Sequence, residues 1–365
     1  MASDLSKVIA AVNRVGIQNV SLLARMTKMP TETIRYTMKK RFPKLGLNIR
    51  TPLNYSRMGL ERYFVSLKLT REAERSEGAL TKGLSTNAFL TYWCKAPLER
   101  TNLAFFAVPV ALVDDFAGFL RALREGGMLE DYDLQRIEWS RHPELKSGYY
   151  DFGKGKWAID WEKVGKADET PPGIHAKEEP SASPDVDSAD IMIVKELQLD
   201  SWRNIAEIAR KLGLNERTVR WHYRKHVMGI APTAYVSWKP VTQRETKGAM
   251  GLILEFNELS SRTTAELRLI FNNFPFAWFE GGRTDGYYQV HSAIPSGHFM
   301  ESVRYLNSRL DGLVSGWKTW TTDLSSERPY TIPYENFGKE GWFFDRESAL
   351  RAVVPQGMRT KRARA

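Results

Sequence analysis

Apolar positions along the chain follow two different periods, in alternating blocks. In "RNIAEIARKLG", Ile205, Ile208, Ala209 and Leu212 stand at i, i+3, i+4 and i+7, the stripe of an amphipathic helix. Gly213 ends it, and Asn215 is a suitable N-cap for a further helix, "ERTVRWHYRKH". Upstream, "ADIMIVKELQLD" starts a helix behind Ser188 or Asp190, with Ile193, Val194 and Leu197 on one face. An extended stretch, "GIAPTAYVSWKP", follows the three helices. The pattern then changes to period two. "GAMGLILEF" puts Leu252, Leu254 and Phe256 on one face of a strand. A helix with Leu267, Ile270, Phe271 and Phe274 inward comes next, then "FAWFEGG" and "YYQVHSAI" as a hairpin around "GGRTDG". A helix aligning Phe299, Val303, Leu306 and Leu310 and a last strand, "VSGWKTWTTDL", complete a β-α-β-β-α-β order. That order predicts a ferredoxin-like domain, one antiparallel sheet with two helices on one face.

The first half reads the same way. Three short helices start from Leu5, Asn19 and Thr31. Strands "RYFVSLKLT", "AFLTYWCKA", "LAFFAVPV" and "LQRIEW" follow, with a weak helix near Ala79–Leu84 and another that turns Phe116, Leu120 and Leu123 inward. A constant offset of 185 positions relates the halves. It carries Ala24 to Ala209, Thr33 to Thr218, Trp93 to Trp278 and Asp160 to Asp345. It also carries "YYDFGKGKW" to "YENFGKEGW", so Tyr-x-x-Phe-Gly-Lys-x-x-Trp occurs at Tyr149–Trp157 and again at Tyr334–Trp342. The expected fold class is therefore α+β, two repeats, each a winged helix-turn-helix followed by a ferredoxin-like βαββαβ domain. The expected boundaries are 1–55 and 190–240 for the helical modules, 60–147 and 246–324 for the sheet domains, and 148–161 and 325–346 for the aromatic extensions. An acidic Pro/Ser linker occupies 162–189 and a basic tail 347–365. The extensions are expected to act as clasps, with Gly153 or Gly338 making the bend, so truncation after Asp323 should cost stability.

Charge sharpens this picture. The 365 residues carry a formal net charge of +10, which attracts polyanions. The single cysteine, Cys94, excludes an intrachain disulfide framework and reads as a small buried residue. The longest apolar run, Leu103–Val113, is too short for a membrane span, and the first residues lack a signal-peptide pattern. The expected location is cytoplasmic and nucleoid-associated. The first helical module offers Thr31, Thr33, Arg35, Lys39, Lys40 and Arg41 for duplex DNA; the second offers Asn215, Arg217, Thr218, Arg220, His222, Arg224 and Lys225. Ala209, Gly213 and Val219 have the spacing of a helix-turn-helix, although Lys28 stands where Gly213 does in the first copy. His222 and His226 have the i, i+4 spacing of a metal pair, but no Glu or Cys accompanies them, and contact with phosphate or base is the preferred reading. No metal and no cofactor is expected, and no set of residues assembles into a catalytic site, so the expectation is a protein that is not an enzyme.

The sequence "NIAEIARKLGLNERTVRWHYRKH" together with "FEGGRTDGYYQVHSAIP" resembles the Lrp/AsnC (feast/famine) family of transcription regulators, over most of both halves. Gly282, Asp285, Tyr287 and Val290 fit that family's Gly-x-x-Asp turn, which the first half lacks. The resemblance implies RAM-type sheet domains, an intramolecular pseudo-dimer that can assemble further into homo-oligomers, and an amino-acid effector near Gly282 and Asp285. The reading is a DNA-binding transcription regulator. An architectural DNA-coating protein of the nucleoid and an RNA-associated or scaffold protein are the alternatives.

Overall fold

Capping chemistry sets the helical modules where the apolar stripes put them. Asn19 accepts from the Leu22 amide at the start of Val20–Thr27. Asn204 and Glu207 form a reciprocal capping box at the start of Ile205–Leu212. Both second helices end in the left-handed region, at Lys28 (φ 56°) and Gly213 (φ 67°). The turn thus needs that conformation in both copies, and the first copy adopts it without glycine. The recognition helices, Thr31–Tyr36 and Glu216–His222, each continue into a π-helical turn, Thr37–Arg41 and Tyr223–Val227. This computed structural model describes residues 2–17, 19–165, 184–238 and 248–354. Most of the acidic linker and the basic tail from 355 onward lie outside the described residues.

Contacts divide the chain into two units, each assembled from three separated segments. One comprises 1–52, 138–177 and 233–325; the other comprises 53–137, 178–232 and 326–365. Each unit therefore combines the helical module and the sheet domain of different halves.

In the first unit, Met250–Phe256 pairs antiparallel with Tyr288–Ile294 on one side and with Lys318–Pro329 on the other. Ala277–Gly282 lies beyond Tyr288–Ile294, and Trp139–Arg141 adds to its outer edge. Helices Ser261–Asn273 and Phe299–Leu310 supply Leu267, Phe271, Leu306 and Leu310 to a core with Leu252, Leu254, Phe256 and Val290. Val303, expected inward, is 37% exposed. The buried stripe of its helix instead runs through Ser302 and Tyr305, because Tyr305 stacks on Phe274 at 6.0 Å. The first helical module joins this unit through its wing: Leu47–Arg50 pairs with Tyr235–Trp238, Asn13 accepts from the Val236 amide (2.8 Å), and Trp238 Nε1 donates to the Leu45 carbonyl (3.0 Å). The first aromatic extension folds as a hairpin of Tyr150–Asp151 and Lys156–Trp157. Trp157 packs on Trp238 and Phe276, both at 4.9 Å.

The second unit has the same sheet order, with Leu60–Leu69 between Thr101–Pro109 and Leu129–Ile137, and Leu90–Ala96 outside. Phe116, Leu120 and Leu123 face inward with Val65, Leu67 and Phe106. The second aromatic extension pairs Phe337–Gly338 with Gly341–Trp342. Trp342 donates to the Met58 carbonyl (2.6 Å), and Tyr334 donates to Gln198 on the first helix of the helical module (2.5 Å). Helix Arg346–Val353 then lays Ala349 and Val353 into the sheet domain's core. In both extensions the positive-φ glycine is not the one expected: Gly155 (φ 68°) and Gly341 (φ 97°) take the bend, while Asp151 fixes the turn around Gly153 by accepting from the amides of Gly153 and Lys154.

Candidate functional site

Three places in the fold gather the polar and charged side chains that are candidates for function. In each helical module a buried β-branched residue, Ile34 or Val219, anchors the recognition helix from within. In the second module Arg217, Thr218, Arg220, Arg224 and Lys225 are exposed, and Asn215 caps the helix by accepting from the Arg217 amide (2.8 Å). Lys225 lies over the Trp221 ring at 4.9 Å, and that ring is 52% exposed. His222 is not on this face. It is buried and donates Nδ1–H to Asp190 (2.9 Å), so the period that puts Val219 inward carries His222 inward as well. In the first module Arg35, Lys39 and Lys40 are exposed, while Thr31, Thr33 and Arg41 are half-buried; Arg35 pairs with Glu32.

The Gly282–Asp285 turn is already filled by its own neighbours. Asp285 accepts from Arg283 Nε at 2.9 and 3.0 Å. Thr284 gives both its amide and its hydroxyl to Glu138 (3.0 and 2.9 Å). A Cβ at Gly282 would meet the Tyr287 carbonyl oxygen at 2.4 Å, so glycine is needed there for close backbone approach.

The third place was not legible as a site. On the first unit's sheet, the face that turns Leu254 and Val290 to the helices turns Glu255, Gln289 and His291 the other way. Register sets Glu255 opposite Gln289, and Ile253 opposite both His291 and Trp320. All are buried: Glu255 is 4% exposed, Gln289 0% and His291 1%. Glu255 accepts from Tyr287 (2.9 Å) and from Trp320 Nε1. Tyr287 also reaches Gln289 Oε1 (3.2 Å), while Gln289 Nε2 has no hydrogen-bond partner among the described residues. His291 sits edge-on to Trp278 and Phe279, with ring centroids 5.4 and 4.9 Å away. A second imidazole, His142, donates to the Trp278 carbonyl (3.0 Å) and stacks on Tyr235 at 4.4 Å. At the sheet's edge Glu280, fully buried, is matched by Arg141 (2.6 Å) and Arg268 (3.5 Å) and accepts from Tyr288. Burial, and then the Glu280 charge, hold the Tyr288 hydroxyl well above its ordinary titration range. The signal for this face was present in "YYQVHSAI". Its period-two pattern places Gln and His at the alternate positions of an otherwise apolar strand, a costly arrangement without a use.

No family model matches the chain, and no curated protein matches it. Among solved structures, the siroheme decarboxylase NirDL superposes over 96% of this chain and 98% of its own, with a TM-score of 0.52 at 11% identity. NirDL in complex with an iron-uroporphyrin III analogue gives the same coverage and TM-score at 12% identity. Escherichia coli AsnC matches 37% of this chain and 91% of its own, with a TM-score of 0.29 at 15% identity. The two-repeat α+β architecture of helix-turn-helix plus ferredoxin-like domain is therefore a fold with a solved end-to-end counterpart. That counterpart corrects one expectation. A protein that is not an enzyme was inferred because no catalytic set could be assembled from sequence, yet the structure that follows this chain from end to end is an enzyme's. Reading the chain position by position missed the polar cluster of Glu255, Tyr287, Gln289 and His291, because it forms only when Met250–Phe256 and Tyr288–Ile294 pair in register. Among the described residues, no helix is long and apolar enough to cross a membrane.

Proposed function

We propose that this chain is a decarboxylase of carboxylate-bearing tetrapyrroles, built on a duplicated regulator-type framework, with its chemistry on the polar sheet face of the first unit. The observation that carries this reading is the burial of Glu255, Tyr287, Gln289 and His291 on one sheet face, with the first three joined by hydrogen bonds. A structural face would be apolar, because each buried polar group costs free energy unless it is used or paired. Loss of CO2 breaks a carbon–carbon bond and leaves its electron pair on the substrate carbon, which must then take a proton. His291 and Tyr287 are the groups able to deliver it, Glu255 orients Tyr287, and the spare Gln289 amide can hold a substrate carboxylate. A dry site favours the step, since the carboxylate's charge is lost as neutral CO2. The net charge of +10 suits a polyanionic substrate. The test is incubation of the purified chain with siroheme under anaerobic conditions, followed by mass spectrometry for successive losses of CO2. Turnover that falls at least tenfold in His291→Asn and Tyr287→Phe supports the reading. Absence of both turnover and tetrapyrrole binding in the wild-type chain defeats it.

A second reading, duplex DNA binding by the helical modules, is favoured by one specific observation. The second recognition helix keeps Arg217, Thr218, Arg220, Arg224 and Lys225 exposed around a buried Val219. The two activities use different parts of the fold and are measured separately.

A further inference from the structure

The second helical module holds a cluster that neither proposed activity uses. His222 Nδ1 lies 2.9 Å from Asp190 Oδ1 and 3.7 Å from Asp187 Oδ1. His226 Nδ1 lies 3.3 Å from Asp190 Oδ2 and 2.6 Å from the Asp185 carbonyl oxygen. Asp190 is fully buried, and His222 is 9% exposed at its side chain. His226 is 10% exposed at its side chain, and its Nε2 is buried with no hydrogen-bond partner among the described residues. The acids come from the start of Ser188–Leu199 and the imidazoles from the recognition helix and its π turn, so two elements far apart in sequence converge. The corresponding positions of the first module, 185 residues earlier, are Leu5 for Asp190, Thr37 for His222 and Arg41 for His226. Leu5 and Thr37 are buried there, so the module's fold does not require a carboxylate or an imidazole at these places. Only the second copy carries all three together.

We infer that Asp187, Asp190 and His222 form a binding site for a divalent transition-metal ion, with His226 beside it positioning Asp190 from the other carboxylate oxygen. Tetrahedral zinc, bound at ~2.0–2.1 Å by nitrogen and oxygen, sets its ligand atoms ~3.3 Å apart. The separations of 2.9 and 3.7 Å bracket that value. The three donor atoms all lie within 4.8 Å of one another. Asp190 is oriented through its other oxygen, which accepts from the Asp187 amide (3.0 Å), as an outer hydrogen bond orients a metal ligand. One imidazole with two carboxylates selects zinc, cobalt or nickel over magnesium, which keeps its water and prefers an all-oxygen octahedron. Asp187 is 61% exposed at its side chain and gives the ion a route in from solvent. A bound ion would tie the recognition helix to the first helix of its module. This inference is independent of the decarboxylase reading.

The test uses the full chain freed of metal and then titrated with Zn2+ or Mg2+, followed by calorimetry and metal analysis, with Co2+ as an optical probe. One Zn2+ per chain, no Mg2+ uptake, and the visible absorption of four-coordinate Co2+ are expected. Asp187→Asn retains a good N-cap and should fold normally, yet lose at least tenfold in Zn2+ affinity. His222→Gln should abolish the Co2+ spectrum, and His226→Gln should weaken Zn2+ binding. Failure of the wild-type chain to bind Zn2+ stoichiometrically, or equal affinity in wild type and in both Asp187→Asn and His222→Gln, would overturn the inference.

Discussion

Gly83 offers a direct test of how the C-terminal helix is seated. It lies inside the Glu77–Asn87 helix, where replacing glycine with alanine ordinarily stabilises by about 1 kcal/mol. Here a Cβ would stand 2.7 Å from Val353 Cγ1, 3.1 Å from the Ala352 carbonyl oxygen and 3.2 Å from its carbon. Two of these atoms are backbone, and the third belongs to a stiff side chain that is itself buried, so none can swing away. Overpacking of this kind costs roughly 1–3 kcal/mol. The penalty outweighs the propensity gain, and Gly83→Ala should destabilise the full chain by about 1 kcal/mol. In thermal unfolding that is a drop of roughly 2–4 °C for a unit of this size. Val353→Ala removes the closest atom. Alone it should cost about 1.5 kcal/mol, at ~0.8 kcal/mol for each buried methyl lost. In that background the cost of Gly83→Ala should shrink by about 1 kcal/mol, and a double-mutant cycle measured by urea unfolding reads the difference. Should Gly83→Ala stabilise the otherwise unaltered chain, the helix of residues 346–353 does not pack there and the reasoning is refuted.

Two further outcomes follow from the same kind of reading. Tyr288 and Tyr334 are buried, and burial first, then the neighbouring Glu280 or Tyr55, raises each hydroxyl above its ordinary value of 10.0. With the folded values above the unfolded one, the stability linked to these groups is complete below about pH 10 and is lost as pH rises beyond it. Urea midpoints followed by circular dichroism should therefore hold level up to about pH 10 and then fall; a flat profile to higher pH would contradict the assigned burial. If the second helical module reads bases, Arg220→Ala should weaken duplex binding by about 1–3 kcal/mol in mobility shifts. Binding that is absent even at low salt would remove the DNA reading altogether.

Much of the architecture was local and so could be read from the chain. Ile205, Ile208, Ala209 and Leu212 define a helix stripe by spacing alone, and Leu252, Leu254 and Phe256 define a strand face the same way. Caps such as Asn19, Asn204 and Asn215 act within three residues of themselves and need no tertiary partner. The register of the aromatic motif exposed the repeat, and its two Trp side chains have comparable neighbours, Phe276 for Trp157 and Phe89 for Trp342. The site chemistry was harder. The recognition-helix cations could be listed, but His222 was misassigned to the exposed face; its partner, Asp190, lies 32 positions away.

Sequence by itself determined the elements, their order and the presence of two copies, since hydrogen-bonding caps and periodic burial are short-range. Tertiary structure decided which copies combine. Each unit joins the helical module of one half to the sheet domain of the other, as Ile191, Ile193 and Val194 do in the second unit by sharing a core with Leu60 and Ala107. It also decided the chemistry of the sheet. Glu255, Gln289, His291 and Trp320 come from three strands, and only their pairing register gathers them on one buried face. Along the chain only the alternation in "YYQVHSAI" marks this face, because the distances that matter run across the sheet.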